Sequence, residues 1–80
     1  MWLFMATQQD KSFEKFFKAL GQRIRALRLE RSMVQEDMMN FGFSTRHYQR
    51  IEAGLPINIK TALRLCKAFK IDLPTLFKGI

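Results

Sequence analysis

The sequence predicts an all-α fold, a compact bundle of about five short helices. Three observations carry that prediction. Apolar residues recur at three- and four-residue steps through most of the chain. Residues that cap helix N-termini, Ser44, Asn58 and Asp72, stand directly before those blocks. Gly42, Gly54 and Pro56 punctuate the intervals between them. The chain has 80 residues and 48% hydrophobic content, which is one folded domain with no room for a separate catalytic or sensor domain. So short a chain buries a modest core, and a partner subunit is one source of further stability.

The first block runs from Asp10 to about Arg31. Phe13, Phe16, Phe17, Leu20, Ile24 and Leu27 fall on one helical face, and Asp10 or Ser12 is the expected cap. Gly21, inside the block, costs about 1 kcal/mol relative to alanine, so one long helix and two short ones both remain open. Arg28 lies four residues after Ile24, at the edge of the apolar face, where a half-buried arginine calls for a carboxylate. A second helical stretch is expected from Gln35 to just before Gly42, with Met38 and Phe41 inward, followed by Phe43 in a tight connection. Met33, Met38 and Met39 read as core gap-fillers.

Ser44 caps the third helix, predicted over Thr45 to Ala53, and Gly54 suits the left-handed position after its end. On a 100° wheel His47, Tyr48, Ile51 and Glu52 share one side; Arg46, Gln49, Arg50 and Ala53 share the other, with Thr45 at its edge. Tyr48 and Ile51 should therefore face inward and the Arg46/Gln49/Arg50 stripe outward. Asn58 caps a fourth helix through Phe69, whose predicted buried stripe is Ile59, Ala62, Leu63, Leu65, Cys66 and Phe69. Asp72 caps a last short helix with Pro74 in its first turn and Leu73, Leu76 and Phe77 as its apolar residues.

The net charge is +7, which points to an anionic partner, nucleic acid before an acidic lipid surface. Its placement is uneven. Between Ser44 and Lys70, six bases (Arg46, Arg50, Lys60, Arg64, Lys67, Lys70) face the single acid Glu52, leaving +5; residues 1–43 carry seven bases against five acids, leaving +2. The basic surface thus centres on the third and fourth helices. Neutralising DNA phosphates supplies most non-specific affinity. A helix about 10–12 Å across enters a major groove about 12 Å wide. Arginine there reads guanine, glutamine reads adenine, and threonine meets the thymine methyl. An ordinary solvated face is the alternative reading of the stripe.

Other chemistry has little support. The sequence shows no paired carboxylates with an evident pocket, no nucleophile–histidine set and no phosphate loop, so no enzymatic activity and no cofactor are expected. His47 is the single histidine and Cys66 the single cysteine, which together make no metal set; His47 suits packing or a phosphate contact, and Cys66 a small core position. A lone thiol fits a reducing cytosol. No apolar run approaches the roughly 20 residues that span a bilayer, and "MWLFM" is too short for a signal-peptide core with no basic segment before it. No membrane association is expected.

"IRALRLERSMVQEDM", "GFSTRHYQRIEAG" and "NIKTALRLCKAFKIDLPTLF" together resemble the Cro/phage-repressor (XRE-like) helix-turn-helix family, with its lambda-repressor-like fold, from Leu20 to about Phe77. The resemblance rests on an ordered set: Arg28, Gln35, Gly42, Ser44, Ile51-Glu52, Gly54 and the Leu/Ala/Phe pattern of the fourth helix. It implies that Arg28 pairs with Glu52 beneath the recognition helix and that Gln35 touches a phosphate and braces that helix. It places Thr45, Arg46 and Arg50 among the base-reading residues, with Gln49 beside them. It assigns phosphate contacts to Ser44 and Asn58, to which the basic surface adds His47, Lys60 and Arg64. It further implies a homodimer on a two-fold site, in the cytoplasm and nucleoid of a bacterium or encoded by a phage. Two departures stand out: the span from Gln35 to Ser44 is one residue shorter than usual in that family, and Met39 stands where a small residue commonly lets two helices approach.

Residues 1–19 lie outside the family pattern and form an N-terminal extension, helical from about residue 10, ahead of a DNA-binding domain over residues 20–80. Trp2, Leu3 and Phe4, with Phe13, Phe16 and Phe17, either extend the core or meet a partner, since aromatics are enriched at interfaces. Leu73, Leu76 and Phe77 are a second candidate dimer surface. Three functions follow as expectations. The first is a sequence-specific double-stranded DNA-binding regulator, a repressor by resemblance. The second is an antitoxin-like module binding a protein through its N-terminal aromatics. The third, RNA binding, needs exposed aromatics on the basic face, and the inward Tyr48 counts against it.

Overall fold

A computed structural model describes residues 11–80; Trp2, Leu3, Phe4 and the proposed cap Asp10 lie outside the described residues. Among the described residues five helices follow one another: α1 (Lys11–Glu30), a 3-10 helix (Gln35–Phe41), α2 (Thr45–Glu52), α3 (Ile59–Phe69) and α4 (Leu73–Leu76). No strand occurs among the described residues, and no helix there is long and apolar enough to cross a membrane.

α1 is one continuous helix. It passes through Gly21 and across the boundary expected at residue 19 without a break. At Gly21 the backbones of α1 and α2 come close: a Cβ there would stand 2.5 Å from the Glu52 carbonyl oxygen and 2.7 Å from that of Ile51. The helix-propensity cost of the glycine is thus offset by an approach that no other residue permits. Gly54 performs a related task. Its φ of 108° ends α2, and an added Cβ would lie 3.2 Å from the Lys18 Cα.

The core gathers Leu20, Ile24 and Leu27 of α1, Met38, Phe43, Tyr48 and Ile51, Ala62, Leu65, Cys66, Ala68 and Phe69 of α3, and Leu76. Burial pushes the Cys66 thiol above its ordinary value, which keeps it protonated and inert. Tyr48, Phe69 and Leu20 are the bulkiest of the fully buried side chains. Each would cost about 2–5 kcal/mol if truncated to alanine, within the range for large core residues.

Several expected inward residues are not inward. Phe13 is 59% and Phe16 39% exposed, because α1 runs on past the elements that cover Leu20, Ile24 and Leu27. Ile59 and Leu63 are exposed on the flank of α3, whereas Ala62, Leu65, Cys66 and Phe69 are buried as expected and Ala68 joins them. Met39 is exposed and so stands between no two helices, while Met38 fills the core and Met33 packs partly against it. Leu76 is fully buried, and Leu73 and Phe77 lie against the core, so α4 folds back onto the domain rather than presenting all three residues to a partner.

The segment before α2 is a 3-10 helix. The Asp37 carboxylate accepts from the Val34 N–H at 2.8 Å and closes its start; Gly42 ends it, with backbone bonds from Gly42 to Met39 and from Phe43 to Met38. A 3-10 helix rises about 2.0 Å per residue against about 1.5 Å for an α-helix. The seven residues Gln35–Phe41 therefore cover more length than an α-helix of the same count would. α2 ends at Glu52, one residue earlier than expected, with Ala53 as its C-cap. The Ser44 hydroxyl accepts from the His47 N–H at 3.1 Å, the Asn58 side chain from the Thr61 N–H at 2.8 Å, and Asp72 from the Thr75 N–H at 2.9 Å.

Candidate nucleic-acid interface

Two elements position the candidate site, the 3-10 helix and α2, and a polar chain links them to the core. Arg28 is buried; its Nε donates to Glu52 Oε2 at 2.7 Å, its Nη2 to Glu52 Oε1 at 3.3 Å, and its Nη1 to the Met33 carbonyl at 2.8 Å. The two side chains are only 8% and 6% exposed. Gln35 Nε2 donates to Glu52 Oε1 at 3.1 Å, and Gln49 Nε2 donates to Gln35 Oε1 at 3.2 Å. The chain Arg28–Glu52–Gln35–Gln49 runs from the interior to the surface.

The charges follow the geometry. Burial opposes ionisation of Glu52, but the hydrogen bond from Arg28, the nearby Tyr48 hydroxyl and the hydrogen bond from Gln35 outweigh it, and Glu52 sits below the usual carboxylate range. Its hydrogen bond to Glu52 raises Arg28 above an already high value. Burial drives the Tyr48 phenol far above its ordinary value, with Glu52 adding to the effect. The Tyr48 hydroxyl is wholly buried beside that carboxylate without a well-formed hydrogen bond. The Tyr48 ring itself is held by Phe43 at 5.9 Å, edge to face.

Arg46, Gln49 and Arg50 stand exposed along the outer face of α2, with Thr45 half-buried at its edge. On the inner face Tyr48 and Ile51 are fully buried. His47 is exposed, its ring 6.0 Å from that of Phe43. Of the residues expected to hold phosphates, Gln35 is already engaged with Glu52 and Gln49, and Ser44 and Asn58 are both exposed helix caps. Arg64 leans on the turn before α2: its guanidinium lies 5.6 Å from the centre of the Phe43 ring and reaches the Gly42 carbonyl at 3.4 Å. Lys60 and Lys67 line a cleft of about 580 Å³ with Asn40, Phe41, Leu63 and Arg64. Among the described residues no group of three or more His, Cys, Asp or Glu comes together as a metal site.

Two further arginines escape the sequence reading. Arg31 Nε donates to the Phe69 carbonyl at the end of α3 at 3.0 Å, and its guanidinium lies 5.6 Å from the Phe69 ring centre. Arg23 Nη2 donates to the Thr75 carbonyl in α4 at 2.8 Å. Both satisfy carbonyls near helix C-termini, where a cation also meets the negative end of the helix dipole. Arg31 stands four residues after Leu27, as Arg28 does after Ile24, so the same edge-of-stripe argument was available for it. With Arg23, Arg28 and Arg31 turned to internal carbonyls and Glu52, the basic surface is weighted still further toward α2 and α3.

Comparison with protein families, curated proteins and solved structures returns no match to this chain.

Proposed function

We propose that the chain is a sequence-specific double-stranded DNA-binding transcriptional regulator, acting as a homodimer and most simply as a repressor. In this reading the 3-10 helix, the Gly42–Ser44 turn and α2 form a helix-turn-helix unit, and α2 enters the major groove. Thr45, Arg46, Gln49 and Arg50 read base edges, and Ser44, His47, Asn58, Lys60 and Arg64 hold phosphates. The observation that carries the reading is the division of α2. Arg46, Gln49 and Arg50 are all exposed on one face, while Tyr48 and Ile51 opposite them are fully buried. Such a helix is rigidly seated and offers its hydrogen-bonding stripe outward. Replacing Arg46 or Arg50 by alanine should cost about 1–3 kcal/mol of specific binding and relax preference at one base pair. Equal loss on every sequence would make both residues phosphate contacts and sink the base-reading assignment.

A second reading has its own observation. Phe13 and Phe16 are exposed at 59% and 39%, and with Ser12 and Phe17 they line an open apolar groove of about 590 Å³. Exposed aromatics in one groove suit a protein contact, as an antitoxin-like module would make with its partner protein. Co-purification of a second chain, lost on Phe13→Ser/Phe16→Ser replacement, would favour it.

A further inference from the structure

The cleft between the end of the 3-10 helix and α3, about 580 Å³ in volume, has no α2 residue in its wall. Lys60, Arg64 and Lys67 line it together, because residues at i, i+4 and i+7 share one face of a helix. Lys60 and Lys67 are exposed, while Arg64 is half-buried and held by the Phe43 ring and the Gly42 carbonyl. Like charges on one helix face destabilise it. Ion pairing does not relieve them here: among the described residues the ion pairs are Arg28–Glu52 and Arg31–Glu30, neither of which involves the cleft. The rest of the wall is Phe41, half-buried against the core, the exposed side chain of Leu63 and the Asn40 amide. Three cations without an acidic partner, beside an apolar floor, call for an anion that also carries an apolar body.

We propose that this cleft binds an organic polyanion of nucleoside-diphosphate chemistry, with its phosphates among Lys60, Arg64 and Lys67 and its flat ring on Phe41 and Leu63. The proposal goes beyond DNA reading and does not depend on it. Lys60 and Lys67 stand about 10 Å apart along α3, so two linked phosphates suit the cations better than one. The volume lies inside the roughly 300–1,000 Å³ of small-molecule sites. The Asn40 amide supplies a donor and an acceptor for the polar edge of a ring. A DNA backbone shares the phosphate chemistry, but a duplex keeps its bases stacked inside and has no ring to lay on Phe41 and Leu63. A free nucleotide has one.

The test is calorimetric titration of the whole chain with adenosine diphosphate (ADP), inorganic pyrophosphate and adenosine. It is repeated with Lys67→Ala, Leu63→Ser and, as a control, Lys78→Ala, which removes an exposed lysine outside the cleft. All three variants replace exposed side chains, and melting temperatures recorded alongside ensure that folded proteins are compared. ADP should bind wild type about tenfold more tightly than pyrophosphate, the contribution of roughly 50 Å² of apolar contact, and adenosine should not bind. Leu63→Ser should remove that advantage and leave pyrophosphate unchanged. Lys67→Ala should weaken both anions about tenfold, and Lys78→Ala should change neither. No ADP binding, or pyrophosphate bound as tightly as ADP, would overturn the inference; if Lys67→Ala then also weakens duplex DNA, the cleft belongs to the DNA backbone. An ADP advantage that survives Leu63→Ser would place the ring elsewhere and overturn it as well. Equal losses on Lys67→Ala and Lys78→Ala would do the same, leaving a basic surface without a site. None of these results touches the base-reading assignment of α2.

Discussion

On the inner side of α2, Tyr48 and Ile51 are fully buried, and Glu52 is held by Arg28 and Gln35. On the outer side of the same eight-residue helix, Arg46, Gln49 and Arg50 are exposed, and of these the Gln49 side chain is tied inward through Gln35. The inner side spends its chemistry on staying folded. The outer side leaves its donors for something else. A helix divided in this way should let stability and recognition be altered separately, with Gln49 as the point where they meet.

The largest effect should come from the inner side. Arg28→Ala strands a buried carboxylate, and loss of one partner of such a pair costs about 3–5 kcal/mol. Thermal denaturation should register it as a steep fall in Tm; a loss under about 1 kcal/mol would mean the pair is solvated in solution. Gly21→Ala comes next. Its Cβ would meet the Glu52 carbonyl at 2.5 Å, so α1 and α2 must separate at a cost of about 1–3 kcal/mol, as for an overpacked core. An alanine that raised the Tm through better helix propensity would show the two helices to be farther apart.

The outer side should respond in the opposite sense. Arg46→Ala should lose about 1–3 kcal/mol of specific DNA binding, while its stability stays within about 0.5 kcal/mol of wild type, as for other surface replacements. Acid provides a gentler probe of the inner side. A carboxylate held below its ordinary range contributes stability that is fully present above the unfolded value, about 4.3 for glutamate, and lost as pH falls through the folded value. Glu52 is such a group, and Asp72, held low by its hydrogen bonds to Thr75, is another. The Tm should therefore fall on acidification below about pH 4.3, and Glu52→Gln should make that fall shallower without abolishing it. The smallest effect is expected at Tyr48→Phe. Removing a buried hydroxyl without a well-formed hydrogen bond should leave stability within about 0.5 kcal/mol or raise it slightly. A loss above about 1 kcal/mol would show that the hydroxyl is bonded after all.

The sequence made the division of α2 legible because 3.6-residue periodicity separates Tyr48 and Ile51 from Arg46, Gln49 and Arg50 without reference to anything else. Arg28's need for a carboxylate was legible for a similar reason, since a cation at the edge of an apolar stripe calls for a partner; Glu52 as that partner was only what the family resemblance implied, and the structure shows the pair. Periodicity tells which face of a helix is apolar, not how far its covering extends. Phe13 and Phe16 share a stripe with Leu20 yet lie beyond what covers it, and Ile59 and Leu63 sit at the margin of a correctly identified arc. The role of Gly21 was hidden because a close approach belongs to two helices, and propensity speaks of one. The 3-10 form of Gln35–Phe41 was hidden as well, since Met38 and Phe41, three residues apart, share a face in an α-helix and in a 3-10 helix alike.

The most direct test of DNA reading by α2 is a selection on random duplex DNA, followed by salt titration of the winning site against a scrambled one. The expected result is an enriched two-fold sequence with half-sites about 34–36 Å, one helical turn, apart, bound about 10³-fold or more above scrambled DNA. Uniform binding to every sequence that vanishes as salt rises would contradict it, leaving α2 and α3 as a basic surface without readout.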